Sequence, residues 1–72
     1  MIYKFFAKHK ITPKEWEVLK HLPTGKLNKE IADELGISIE TVKKHLQSGY
    51  KKIKVRNRAE AIIWLLKEGH ET

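Results

Sequence analysis

Residues 28–53, NKEIADELGISIETVKKHLQSGYKKI, decide the fold. Asn28 is a good helix cap, and Ile31, Ala32 and Leu35 recur at helical spacing on one side. Gly36 stops that helix. Ile37 and Ser38 lead straight into another, with Ser38 as its cap. Two helices joined by a short turn built on glycine form the helix-turn-helix layout. The later helix is predicted over about residues 39–53. At 100° per residue, Val42, Leu46, Gly49, Tyr50 and Ile53 gather on one side. Glu40, Lys44, Gln47 and Lys51 gather on the other, flanked by Lys43 and Ser48. Thr41, His45 and Lys52 form a further edge.

Working outward, Thr12-Pro13-Lys14-Glu15 starts an earlier helix. Thr12 caps it, Pro13 takes the first helical position, and Glu15 can close a capping box. Ile11 and Trp16 stand at the two ends of a hydrophobic staple. Val18, Leu19 and Leu22 continue the apolar stripe. Pro23 and Gly25 predict an end near Leu22. On the other flank, Asn57-Arg58-Ala59-Glu60 is a second capping box. It opens a fourth helix that runs to about Glu68 and stops at Gly69. Ala61, Ile62, Leu65 and Leu66 make its buried stripe. Ile63 and Trp64 carry apolar surface further round, so this helix calls for a second surface to cover. At the N-terminus, Ile2, Phe5 and Phe6 would share one helical face among lysines, which fits either a short extra helix or an extended arm. The expectation is an all-α, four-helix domain over residues 11–72, preceded by an aromatic and basic segment over residues 1–10.

With 72 residues and no cysteine, the chain is one small domain without disulfides or a thiolate metal site. Its longest apolar run, Ala61 to Leu66, is far short of the ~20 residues that span a bilayer. No signal-peptide pattern follows the N-terminal segment. A soluble protein of the cytoplasm is expected, with no membrane association.

The net charge of +6 is local. Between Gly36 and Arg58 there are seven cations (Lys43, Lys44, Lys51, Lys52, Lys54, Arg56, Arg58) against one acid, Glu40. Elsewhere the charges cancel. A polyanion is the implied partner, and double-stranded DNA fits the layout. A major groove admits one helix that is polar outside and apolar behind, which describes residues 39–53. Lys43, Lys44 and Gln47 lie in its first half, the part that reaches base edges. Lysine donates to guanine O6 and N7, and Gln47 can bond adenine N6 and N7. Lys51, Lys52, Lys54, Arg56 and Arg58 are placed as phosphate contacts that set register, and Thr41 can add a hydroxyl. His45 fits a phosphate contact or a packed ring equally well. Glu40 is explained by the helix dipole. A lysine-rich face is by itself most often only solvated surface. Here the charge imbalance, the turn spacing and the two-faced helix agree on DNA.

The pieces T-P-x-E-x-E-V-L, N-K-E-I-A, L-G-I-S-x-x-T-V-K-x-H-L and K-x-V-R-N-R-x-E-A together resemble the LuxR-type, or GerE-like, DNA-binding domain. The resemblance runs from Thr12 to Gly69. It implies a four-helix transcription regulator of a bacterium or phage, often a homodimer through its fourth helix. It also implies base contacts at Lys43, Lys44 and Gln47, with backbone or supporting roles for Thr41, His45, Lys51, Lys52, Arg56 and Arg58. Four positions depart from the family pattern. Leu27 stands where Ser or Thr usually caps the second helix, so Asn28 is expected to take over that cap. Gly49 replaces a larger residue and predicts either close helix packing or a softened helix. Lys54 replaces a common Gly. Trp16 replaces a polar residue, and Phe5 or Phe6 is expected to pack near it. Most family members carry further domains. The non-linker character of the first ten residues favours a stand-alone regulator.

The leading expectation is therefore a homodimeric DNA-binding regulator with Ile63 and Trp64 in the two-fold contact. The plainer role for that pair is packing against the N-terminal segment. A competing function is a protein-interaction module that docks on RNA polymerase or another regulator, in the manner of sigma region 4. An enzyme is disfavoured. There is no Gly-rich phosphate loop, no nucleophile beside a base, and no metal-ligand spacing among His9, His21, His45 and His70. No cofactor is implied.

Overall fold

Thr12 sets the first helix, α1 (Pro13–Leu19). Its hydroxyl accepts from the Glu15 N–H at 3.1 Å, and the Glu15 carboxylate accepts from the Thr12 N–H at 2.9 Å, the expected capping box. The computed structural model describes residues 9–68, with Glu68 described by its backbone alone. The expected packing of Phe5 or Phe6 near Trp16, and the stop at Gly69, lie outside the described residues, as does most of the N-terminal segment.

α1 ends at Leu19, earlier than the expected Leu22. A 3₁₀ turn, Leu22–Thr24, follows with Pro23 inside it. Pro23 has no N–H to donate to the Leu19 carbonyl, and its ring would crowd that carbonyl, so the last α-turn cannot form. Gly25, at φ 82°, reverses the chain.

The second helix, α2 (Asn28–Leu35), is capped by Leu27 and not by Asn28. Leucine has no acceptor, so half of the capping box survives: the Glu30 carboxylate accepts from the Leu27 N–H at 2.7 Å. Asn28 is the first helical residue, and its side chain is used elsewhere. Gly36 (φ 68°) closes α2 in the left-handed conformation, and the Ile37 N–H donates back to the Ala32 carbonyl.

The Ser38 hydroxyl accepts from the Thr41 N–H at 3.1 Å and starts α3 (Ile39–Ile53). Its C-cap, Lys54, is again left-handed, at φ 60°, and the Val55 N–H donates to the Tyr50 carbonyl. The final helix is α4 (Arg58–Glu68). Asn57 Oδ1 accepts from the Glu60 N–H at 2.9 Å, while Glu60 accepts from the Arg56 N–H at 2.7 Å. The described residues contain no strand.

One core holds these pieces. Val18, Leu19, Leu22, Ile31 and Val42 are fully buried, joined by Ile11, Ala32, Leu46, Ile53, Ala61 and Leu65. Each large side chain removed from water contributes about 1.5–3 kcal/mol. α1 and α2 both pack on α3, and α4 packs on the 3₁₀ turn. Gly49 marks the closest α1–α3 approach: a Cβ there would lie 3.0 Å from Leu19 Cδ1. Close packing, not a softened helix, is the outcome. Trp16 is half-buried against this core.

Candidate nucleic-acid interface

α3 is divided lengthwise. Val42, Leu46, Gly49 and Ile53 are buried, while Glu40, Lys43, Lys44, Gln47 and Lys51 are exposed. The exposed set forms a polar face beginning at the N-terminal turn, where Ser38 holds the helix start. Lys54 and Arg56 extend the exposed cations past the helix end. Arg56 is 90% exposed, with Glu60 4.0 Å away.

Lys52 and Arg58 are held within the fold by side-chain hydrogen bonds. Lys52 Nζ donates to Glu15 Oε1 at 2.8 Å, and the Ser48 hydroxyl donates to Glu15 Oε2 at 2.5 Å. Glu15 is only 5% exposed. Burial by itself would raise the carboxyl's pKa. Hydrogen bonds from Lys52, Ser48 and the Thr12 N–H, together with the Lys52 charge, outweigh burial and bring it from 4.5 to about 2. One carboxylate thus caps α1 and clamps the flank of α3. Arg58 spans another junction. Its Nη1 donates to Asn28 Oδ1 at 2.7 Å, and its Nη2 to the Lys26 carbonyl at 2.6 Å. The start of α4 is thereby tied to the start of α2. Tyr50 is half-buried; burial raises the pKa of its hydroxyl, and the Arg58 charge opposes that rise.

Thr41 and His45 are half-buried on the α1 side of α3. The Thr41 hydroxyl lies 2.8 Å from Ser38 Oγ, inside the capping arrangement. Both residues line an open, mainly apolar groove of about 440 Å³ with Lys14, Glu17, Val18, Leu35 and Ile37. At the other end of α3, His9, Lys10, Lys52, Ile53 and Lys54 line a second open pocket of about 330 Å³. Lys10 escaped the sequence reading because the charge excess was counted from Gly36 onward. Glu15 and Ser48 escaped as a pair because their meeting depends on how α1 crosses α3.

On α4, Trp64 is half-buried and meets the His9 ring edge-on, with ring centroids 5.0 Å apart. Ile63 is 62% exposed and Leu66 52%. With exposed Ala59 they form a stripe at helical spacing. Among the described residues there is no cluster of His, Cys, Asp or Glu able to hold a metal ion. No described helix is long and apolar enough to cross a membrane.

A family profile described as bacterial regulatory proteins, luxR family, matches residues 9–65. The spore germination protein GerE of Bacillus subtilis is 39% identical over 66 residues, covering 92% of this chain and 89% of that protein. The CsgBAC operon transcriptional regulatory protein of Escherichia coli is 48% identical over 54 residues, which is 75% of this chain. The nitrate/nitrite response regulator protein NarL of Escherichia coli is 40% identical over 60 residues, 83% of this chain. The matched regions make up 25% and 28% of those two proteins, so the chain spans about a quarter of their length.

Proposed function

The chain belongs to the luxR family of bacterial regulatory proteins, and we propose that it binds double-stranded DNA sequence-specifically as a cytoplasmic transcription regulator. α3 enters the major groove. The observation that carries this is the exposed row Lys43, Lys44, Gln47 and Lys51, backed by the buried Val42, Leu46, Gly49 and Ile53. The row can donate to base-edge acceptors while the core braces the helix from behind. Lys43, Lys44 and Gln47 read bases. Lys51, Lys54 and Arg56 hold phosphates. Lys52 and Arg58, engaged by Glu15 and by Asn28 with Lys26, position α3 and α4. Thr41 and His45 support the helix flank.

The working unit is a homodimer, with Ile63 and Leu66 in the two-fold contact. Both are exposed, whereas Trp64 is turned to His9. Two recognition helices then enter major grooves about 34–36 Å apart. Selection from random duplex DNA should yield a two-fold related site. About three to five phosphates per protomer predict a log K against log salt slope of roughly −5 to −9 for the dimer. A slope near zero removes the DNA reading. A monomer mass at every concentration, and on DNA, removes the dimer and leaves the α4 stripe to another protein such as RNA polymerase.

A further inference from the structure

Two described residues other than glycine have positive φ: Lys10 at 57° and Lys54 at 60°. That region crowds Cβ against the following carbonyl, and glycine is the residue that adopts it readily. Both positions carry lysine, and both lysines line the same pocket of about 330 Å³ at the end of α3. The pocket is about ten times the ~30 Å³ share of a water molecule, ample for a phosphodiester group.

Among the described side chains, the charges facing this pocket are unbalanced. Lys52 is matched by Glu15 at 2.8 Å. Among the described side chains, no carboxylate lies within ion-pair distance of Lys10 or Lys54. Two ammonium side chains therefore share a pocket from crowded backbone positions, with no counter-charge among the described side chains. Crowding retained at such positions is a pointer to function.

We propose that this pocket receives one backbone phosphate of duplex DNA, held by Lys10 and Lys54. The proposal rests on the DNA-binding reading and extends the interface to a segment before α1. The pocket sits at the end of α3, the helix whose exposed row ends in Lys51, so in the DNA-binding reading a strand bordering the groove passes this end of the helix. The C-terminal dipole of α3 opposes an isolated anion there. A phosphate delivered by a duplex already anchored along α3 overcomes that opposition, whereas free inorganic phosphate does not. DNA is accordingly the occupant.

The test uses the full chain and a duplex carrying its selected site. Lys10→Gly, Lys54→Gly and the double variant are compared with the parent between 50 and 200 mM salt, alongside thermal melts. Each glycine variant should melt no lower than the parent, because glycine adopts the left-handed conformation readily. Loss of both lysines should make the fall in affinity over that salt range about 3.5-fold smaller per bound protomer, from a slope of roughly 0.9 for the one phosphate, and each single loss should fall between the parent and the double variant. Lys10→Gln and Lys54→Gln, which keep a long side chain without charge, should show the same reduction. A parent with a steep salt slope that every variant shares overturns this site alone. A parent without salt-dependent DNA binding overturns the DNA reading and the site with it.

Discussion

Glu15→Gln isolates the contact that holds α3 against α1. Glutamine keeps the volume, and its carbonyl oxygen can still accept from the Thr12 N–H. What it loses is the charge between Lys52 and Ser48, at 2.8 and 2.5 Å. A carboxyl brought from 4.5 to about 2 favours the folded, ionised state. At roughly 1.4 kcal/mol per pH unit this amounts to about 3 kcal/mol. Glu15 is 5% exposed but its partner Lys52 is 30% exposed, so solvent screens part of it. The variant also aims an amide N–H at donors that have no use for it. The expected loss at pH 7 is about 2–3 kcal/mol, or a fall in Tm of about 10–20 °C for a domain of this size. The pH dependence is the sharper reading. The folded pKa lies below the unfolded one, so the Glu15 contribution is complete above about pH 4.5 and disappears as pH falls toward 2. Stability followed by far-UV circular dichroism in urea, from pH 7 to pH 2, should show parent and variant converging across that interval. Other carboxylates titrate alike in both proteins and cancel in the difference. A loss under about 0.5 kcal/mol, or a gap unchanged down to pH 2, would refute the clamp.

Arg58→Met should cost about 1–3 kcal/mol, because Asn28 Oδ1 and the Lys26 carbonyl lose their donors. Its salt slope for DNA should match the parent's; an unchanged melt with a shallower slope would instead make Arg58 a phosphate contact. Gln47→Ala and Lys44→Ala should flatten base preference in site selection, each by about 1–3 kcal/mol of discrimination, while leaving the fold intact. Equal weakening on every sequence would assign these residues to the backbone. Gly49→Ala gains about 1 kcal/mol of helix propensity. It also sets a Cβ 3.0 Å from Leu19 Cδ1, in a side chain with no exposed surface. Overpacking costs of about 1–3 kcal/mol predict a net loss in a thermal melt, and a rise in Tm would mean that Leu19 has room to move.

Much of this could be read before any tertiary contact was known. The limits of α3 and the starts of α1 and α4 were legible because caps and helical stripes involve residues three or four apart. Ser38 to Thr41 and Asn57 to Glu60 are such pairs. The Pro23 turn was harder. The sequence announced a break but not that its effect would reach back to Leu19. Leu27 as a cap was harder still, since no side-chain acceptor signals it; the Glu30 carboxylate and the φ/ψ of Leu27 show it only in the folded chain.

The sequence by itself determined that this chain is a four-helix luxR-family domain with one strongly basic, two-faced helix, because periodicity, capping chemistry and charge are local properties. It could not sort the seven cations. Tertiary structure decided that Lys52 belongs to Glu15 and Arg58 to Asn28 and Lys26, that Trp64 meets His9, and that Lys10 joins Lys54. Those partners lie tens of residues apart. Only the angles at which α1 and α4 cross the helix-turn-helix bring them within the few ångströms over which hydrogen bonds and ion pairs act.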